Sequence, residues 1–419
     1  MKINTVKGTN DYLPEEMRLR DYLQDVILKT YQSCGFVRIS TPILEDAENL
    51  DKSDGGENLN LIFKVLKRGE KLEKALAAGD EAGLADLGLR YDLTLPLSRY
   101  YANNRAKLLT PFKCIQMDRV YRAERPQKGR LREFVQCDID IIGDSSVCAE
   151  LQLMTTTAEA LRRIGMTDFK MKVNDRRILR AVLLACGFAE ETLDGVCIGL
   201  DKLDKIGSDG VAKELAEKEY PVEAIEKLGN ILSDMPVSIE RVREIIEENQ
   251  TSEENQGRQA ADNLEHLLSM MRELSGGQYD VVFDLSLVRG QGYYTGTVFE
   301  VENSRFKGAI AGGGRYDNLI GKFLGENVPA VGFSIGFERI FSILMETGAE
   351  IPDRKQRVAV LCWEDQCMDA MKQAAALRAQ YDTDVFVKPK KVGKFIDRLK
   401  AQGYDGIWQV GQSEEVKQI

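Results

Sequence analysis

Residues 112 to 143 constrain the fold more than any other part of the chain. Two runs of strand-like alternation, FKCIQMDRVYRAE and REFVQCDIDIIG, flank a basic loop containing Pro126, Lys128 and Gly129. Together they predict a long antiparallel hairpin. Its tip, YRAERPQKGRLREFVQ, carries seven charged side chains between apolar flanks, and five of these are arginine or lysine. Such a tip is either a solvated surface hairpin or an anion clamp. In the second case Arg122 and Glu124, two apart on one strand face, would grip a phosphate and hold an amino group. Arg130 to Gln136 reads as the returning strand.

The rest of the pattern builds an α/β chain around this hairpin. Residues 15 to 34 have helical spacing that stops at Gly35, and Phe36 to Ile43 reads as a strand. LGLRYDLTLPLSRYYANN joins a strand to a helix, residues 148 to 164 are helical, and DFKMKVND is strand-like. From Arg176 to Leu274 strand signals disappear and charges are dense, which predicts an inserted helical module. Strands return at YDVVFDLSLVRG, YYTGTVFEVEN and GAIAGGGRYD; VGFSIGFERIFSILME runs from strand to helix; IPDRKQ reads as a linker. A chain of 419 residues is too long for one ordinary core. The expected division is 1–175 and 276–350 as two parts of one α+β core, 176–275 as the helical insert, and 357–419 as a small α/β domain.

Residue inventory limits the chemistry. Histidine occurs once, at His266 in a helical stretch, so a His-based triad or a multi-histidine metal site is excluded. Any acid–base work falls to carboxylates, tyrosines or the substrate itself. The net charge of -10 argues against a general nucleic-acid coat while leaving room for local basic patches. Eight scattered cysteines without a CxxC pair argue against a disulfide framework. No apolar run of transmembrane length and no basic-plus-apolar leader are apparent, so a cytoplasmic protein is expected.

Several segments could hold a ligand. LVRGQGYYTGTVFE (287–300) places Arg289 before two glycines and a tyrosine pair, which suits either close approach of a ligand or a strand-edge bulge. AGGGRYDNLIG (311–321) is neither a Walker loop nor a Rossmann fingerprint, and reads as a tight turn or a ligand-facing segment. In VGFSIGFERI (331–340), Arg339 could reach a phosphate or pair with a surface carboxylate. Gln136, Asp138 and Asp140 alternate on one strand face and, with Asp92, could surround a cationic small molecule. The basic run KPKKVGKFIDRLK (388–400) is a solvated helix end or an RNA contact.

In this order the segments resemble the class II aminoacyl-tRNA synthetases, and specifically the histidyl-tRNA synthetase family, over nearly the whole chain. KGTNDYLP is similar to the family's N-terminal signature and GFVRISTP to the class II dimer motif. YRAERPQKGRLREFVQ and GFSIGFERI resemble the second and third class motifs, while LVRGQGYYTG and AGGGRYD resemble signatures peculiar to the histidine enzymes. KVNDRRIL, DKLDKI and RYDLT resemble the more eukaryote-like version.

The resemblance implies a mixed, mainly antiparallel sheet flanked by helices, and a function: L-histidine activation with ATP and Mg2+, then transfer to tRNA(His), by a homodimer. It implies that Arg122 holds the α-phosphate and the histidine carboxylate, Glu124 the adenine amino group, and Arg130 and Arg339 the outer phosphates. Arg289 would stand at the α-phosphate; Asp92, Gln136, Asp140, Tyr294 and Tyr316 would surround histidine; Arg125 and Gln127 would lie near the tRNA acceptor end. No protein metal site is implied. Two departures stand out: Gln291 and Gly292 replace a leucine and a carboxylate, and the last domain, resembling an anticodon-binding domain, is short. The alternative is a catalytically silent paralogue, such as the regulatory subunit of ATP phosphoribosyltransferase, which senses histidine.

Overall fold

The computed structural model describes residues 3–50, 60–80, 82–127, 129–248, 254–288, 293–352 and 354–419. In chain order the first strands and helices are α1 (Pro14–Ser33), β1 (Val37–Arg38), β2 (Leu44–Asp46), α2 (Ala47–Leu50), β3 (Phe63–Leu66), α3 (Glu70–Ala78), β4 (Ala85–Leu89) and α4 (Thr94–Asn104). The predicted hairpin follows as β5 (Phe112–Tyr121) and β6 (Glu133–Ile142), then α5 (Val147–Arg163) and β7 (Phe169–Asp175). The described residues from Arg176 to Ser275 form helices: α6 (Arg176–Cys186), α7 (Leu193–Leu200), α8 (Leu203–Glu217), α9 (Val222–Ser233), α10 (Ile239–Glu248) and α11 (Glu254–Ser275). His266 lies on the exposed face of α11. Next come β8 (Asp280–Phe283), β9 (Thr297–Asn303), β10 (Phe306–Arg315), α12 (Gly321–Leu324), β11 (Ala330–Gly336) and α13 (Phe337–Glu346). The chain closes with β12 (Arg357–Cys362), α14 (Cys367–Leu377), β13 (Asp382–Val387), α15 (Val392–Ala401), β14 (Gly406–Gln409) and β15 (Lys417–Gln418).

Contacts divide the chain into two compact units, Met1–Asp11 with Leu23–Glu346, and Tyr12–Tyr22 with Thr347–Ile419. The first contains an eight-stranded sheet ordered β1-β5-β6-β11-β10-β9-β7-β8 and a three-stranded sheet ordered β2-β4-β3. Only the outer pairs of the large sheet, β1 with β5 and β7 with β8, are parallel. Its centre is antiparallel, and β5 pairs with β6 over their full length, from Phe112 opposite Ile142 to Tyr121 opposite Glu133. Apolar residues on one face of β6, such as Cys137, Ile139 and Ile141, are fully buried. In the second unit, β13, β12 and β14 run parallel, with β15 antiparallel at the edge.

Two local expectations need correction. The strand expected over Phe36 to Ile43 breaks after Arg38 and resumes only at Leu44. Pro42 lacks an N–H for a ladder, and the carbonyls of Thr41 and Pro42 turn instead to the guanidinium of the fully buried Arg90, at 2.7 and 3.3 Å. Arg122 and Glu124 do not share a strand face, because β5 ends at Tyr121. Arg122 N still bonds Arg132 O at 2.9 Å, but Ala123 N is drawn to Leu61 O at 2.8 Å and Pro126 cannot donate, so the ladder stops. The returning strand accordingly begins at Glu133 rather than Arg130. Gly129, at a φ of 77°, supplies the left-handed residue in the turn that Gln127 and Arg130 close with hydrogen bonds of 3.2 and 2.9 Å.

Candidate active site

A cavity of about 400 Å³ opens over the centre of the large sheet. Its floor follows from the strand register. Gln136, Asp138 and Asp140 lie on one face of β6, as the period of two requires, and β11 sets Gly336, Ser334 and Gly332 against them in turn. Every residue facing this polar row from β11 is small, so the side chains of β6 have room to rise. The room at Gly332 is specific: a Cβ there would fall 2.1 Å from Asp140 Oδ1. The glycines of AGGGRYD do not form a turn; they lie inside β10, where a Cβ at Gly314 would strike the Tyr294 ring at 2.8 Å. They are glycines because another strand and a tyrosine approach too closely for a side chain.

At one end, Tyr316 donates its hydroxyl to Asp140 Oδ1 at 2.6 Å, and both residues are buried. Tyr293 packs edge-on against Tyr294 and Tyr316, with ring centroids 4.9 and 6.0 Å apart. Asp92, in the turn before α4, uses Oδ1 to accept the Leu95 amide at 3.2 Å. Its Oδ2, Gln136 Oε1 and Asp138 Oδ1 are buried and have no partner among the described residues. Burial is the leading cause that pushes all three carboxyl groups upward: Asp92 is raised, Asp138 stands well above its ordinary range, and Asp140 is pushed up to about 7. Unpartnered acceptors of this kind cost several kcal/mol unless a cation satisfies them.

At the other end lie the cations. Arg122 Nε donates to Tyr91 O at 3.0 Å, and its guanidinium lies 5.1 Å from the centre of the Phe134 ring. Arg130 reaches Glu124 Oε2 at 3.3 Å. Arg339, in the first turn of α13, donates to Ala309 O and lies over the Phe306 ring. Its neighbour Glu338 is buried and accepts the Val135 amide at 3.2 Å, tying α13 to β6.

The cavity thus gathers Arg122, Glu124, Arg130, Arg339, Asp92, Gln136, Asp140, Tyr294 and Tyr316. Arg125 and Gln127 are exposed on the loop and do not line it. Arg289, Gly290, Gln291, Gly292 and Lys128 lie outside the described residues. The lining also includes Thr94, Phe134, Tyr293 and Ser334, which sequence reasoning did not select. Asp138 lines the cavity beside Gln136 and Asp140, as its place among the groups expected around a cationic ligand requires; Ser334 is legible only by pairing β11 with β6. Arg315, conspicuous beside Tyr316, turns away to Glu150 on α5, with contacts of 2.6 and 2.7 Å.

An antiparallel sheet carrying a basic strand–loop–strand, a strand-to-helix arginine and a polar amino-acid-sized floor defines a class II aminoacyl-tRNA synthetase core. The model of the family described as histidyl-tRNA synthetase matches residues 8–340. A histidine--tRNA ligase of Leifsonia xyli subsp. xyli is 40% identical, over 96% of this chain and 94% of the relative. The crystal structure of histidyl-tRNA synthetase from Nostoc sp. PCC 7120 superposes with a TM-score of 0.79 at 29% identity, covering 97% of this chain and 91% of that one. A structure described as an ATP phosphoribosyltransferase regulatory subunit/histidyl-tRNA synthetase from Bacillus halodurans C has a TM-score of 0.78 over 98% of both chains. At 23% identity that likeness bears on fold alone. The chain belongs to the histidyl-tRNA synthetase family.

Proposed function

We propose that the protein is a histidine--tRNA ligase, which condenses L-histidine with ATP to histidyl-adenylate and pyrophosphate and then transfers histidine to the 3′ end of tRNA(His). The observation that carries this reading is the joining of Arg122, Arg130 and Arg339 to a row of unpartnered buried acceptors within one cavity. The histidine carboxylate is itself the nucleophile at the α-phosphorus, so the protein needs positioning and charge neutralisation rather than a strong base. Arg122 would hold the α-phosphate and the carboxylate, Glu124 the adenine amino group, and Arg130 and Arg339 the outer phosphates. Arg289 would join them at the α-phosphate. Asp92, Gln136, Asp140, Tyr294 and Tyr316 would enclose histidine, with Asp140 accepting from the imidazole N–H while its other partner is Tyr316.

Mg2+ would enter on the ATP phosphates and offset their charge. Among the described residues no group of three or more metal-ligating side chains is preassembled, and Glu124 and Glu338 are the carboxylates at the cavity wall near the cations that an ion carried by the nucleotide would meet. Arg125 and Gln127, exposed on the loop, would meet the tRNA acceptor end. A homodimer is supported by exposed apolar side chains on edge strands of the two sheets, Val37 on β1 at 54% and Leu44 on β2 at 50% accessible. Among the described residues no helix is long and apolar enough to cross a membrane; we place the reaction in the cytoplasm, where the tRNA it charges would be found. The regulatory-subunit reading has weaker support, because the 40% identical relative is a ligase and the arginines persist.

The deciding assay is histidine-dependent ATP–pyrophosphate exchange followed by charging of tRNA(His). Both activities are expected; histidine binding without exchange would replace the ligase by a histidine sensor.

A further inference from the structure

Among the described residues Arg90 is the bulkiest fully buried side chain. A buried guanidinium is a poor source of stability, since well-packed apolar groups of similar volume do as well or better. What it supplies instead is direction, because its N–H donors form a rigid fork and each needs an acceptor. Arg90 aims them at two separate segments. Nη1 donates to Thr41 O at 2.7 Å and to Pro42 O at 3.3 Å, while Nε donates to Arg119 O at 2.9 Å. Nη2 stands 2.9 Å from Asp118 Oδ2 as an ion pair, without the alignment of a hydrogen bond.

These contacts fall where the large sheet is short of a strand. β1 pairs with β5 only at Cys114 and Ile115. Further along β5 the outer edge is taken over by Arg90, whose side chain holds Arg119 O and whose carbonyl accepts Tyr121 N at 3.0 Å. Its own amide donates to Ile43 O at 3.0 Å. One residue thus fastens the end of β5 to the segment before β2. The next carbonyl in the chain, Tyr91 O, accepts Arg122 Nε at 3.0 Å. Arg122 follows directly on the last residue of β5, so its stem is set by that strand end and by Tyr91 O, and Arg90 holds both. Asp92 has an anchor of its own in the Leu95 amide, so a shift at Arg90 is felt first at Arg122.

Resting on the assignment of this cavity to histidine activation, we propose that Arg90 is a positioning residue for adenylate formation, which sets the Arg122 guanidinium by locking the end of β5 and the Tyr91 carbonyl together. Arg90 itself does not line the cavity and acts only through these neighbours.

The test compares Arg90→Lys, Arg122→Lys and the double variant of the full-length protein in histidine-dependent exchange, with melting temperatures and calorimetric binding of L-histidine and L-histidinol alongside. A lysine keeps the buried charge but has one nitrogen, which cannot reach both segments. Arg90→Lys is expected to lower exchange by roughly 100-fold, the scale for a small misplacement of reacting groups, and to add little further in the Arg122→Lys background. L-histidine should bind roughly 10-fold more weakly, whereas L-histidinol, which lacks the carboxylate that Arg122 would hold, should bind nearly as before. Losses that multiply in the double variant, or equal weakening of both ligands, overturn the proposal. If Arg90→Lys does not fold, Asp118→Asn takes its place in the same comparison. It removes only the ion pair and is expected to lower exchange by roughly 5-fold; an unchanged rate overturns the proposal. Wild-type protein that binds histidine without exchange would instead defeat the ligase assignment, whatever the variants do.

Discussion

Tyr316 and Asp140 meet through a 2.6 Å hydrogen bond at the closed end of the cavity, with Gly332 leaving the space in which they meet. The hydroxyl holds the Asp140 carboxylate in place, yet burial outweighs it and pushes the carboxyl up to about 7. The site is therefore built at the expense of stability until a ligand arrives.

That balance gives a pH-dependent prediction. An unfolded aspartate titrates near about 3.9, so between there and neutrality the folded chain retains a proton that the unfolded chain has lost. Stability falls as pH rises through this window, and the cost is fully present above the folded value of about 7. Replacing Asp140 by Asn keeps an acceptor for Tyr316 and removes the charge. The variant is expected to melt at a higher temperature than wild type above neutrality, by an amount worth a few kcal/mol, with the advantage vanishing towards acid. Its KM for histidine should rise by at least roughly 100-fold. Thermal melts across pH check the first claim; an Asn variant no more stable than wild type at alkaline pH refutes it.

The two kinds of glycine contact in the sheet should fail differently. A Cβ on Gly332 meets a side-chain carboxylate at 2.1 Å, whereas a Cβ on Gly313 meets the backbone oxygen of Gly332 at 2.0 Å. Asp140 can rotate away; a central strand cannot. Gly332→Ala should therefore fold with a modest loss of stability and lose histidine-dependent exchange, while Gly313→Ala should lose roughly 3 kcal/mol or more through forced strand separation. Denaturant titration of both proteins distinguishes them, and equal destabilisation would contradict this account.

Much of this was legible before the structure. Alternation fixed the β5–β6 hairpin and the shared face of Gln136, Asp138 and Asp140, because a period of two is a local property of the chain. The helical stretch from Arg176 onwards was legible for the same reason. What could not be read locally was register. Ser334 becomes meaningful only opposite Asp138, and the glycines of β10 only against Tyr294 and the neighbouring strand. The strand ends at Tyr121 and Arg38 were also hidden, since the competing partners, Leu61 O and the Arg90 side chain, lie far away in sequence.

Arg315 shows how a signature residue can be structural. Its guanidinium makes a bidentate contact with Glu150 at 2.6 and 2.7 Å, and both side chains are more than nine-tenths buried. Glu150→Ala would leave that cation buried and partly unpaired, costing roughly 3 to 5 kcal/mol. Among molecules that remain folded, the histidine KM should change less than in Asp140→Asn, because Glu150 lies outside the cavity. Melting temperature and exchange kinetics on the same preparation separate the two effects; a large KM increase with unchanged melting would place Glu150 in the binding machinery instead.

Arg122 makes the opposite case, a cation whose shape matters as much as its charge. Its Nε is spent on Tyr91 O at 3.0 Å, which anchors the stem and leaves the terminal nitrogens to face the cavity, while the Phe134 ring lies 5.1 Å from the guanidinium carbon. A lysine in this position retains the charge but has one nitrogen, so it can anchor to Tyr91 or reach a phosphate, not both, and it lacks the planar fork that engages two oxygens together. Arg122→Lys is expected to reduce the exchange rate by roughly 100- to 1,000-fold, the loss associated with one preorganised charge-stabilising donor. The effect should fall on kcat and, because Arg122 would also hold the histidine carboxylate, on the KM for histidine as well. Steady-state exchange kinetics with each substrate varied in turn provide the measurement, and a lysine variant with near wild-type kcat would show that charge alone suffices.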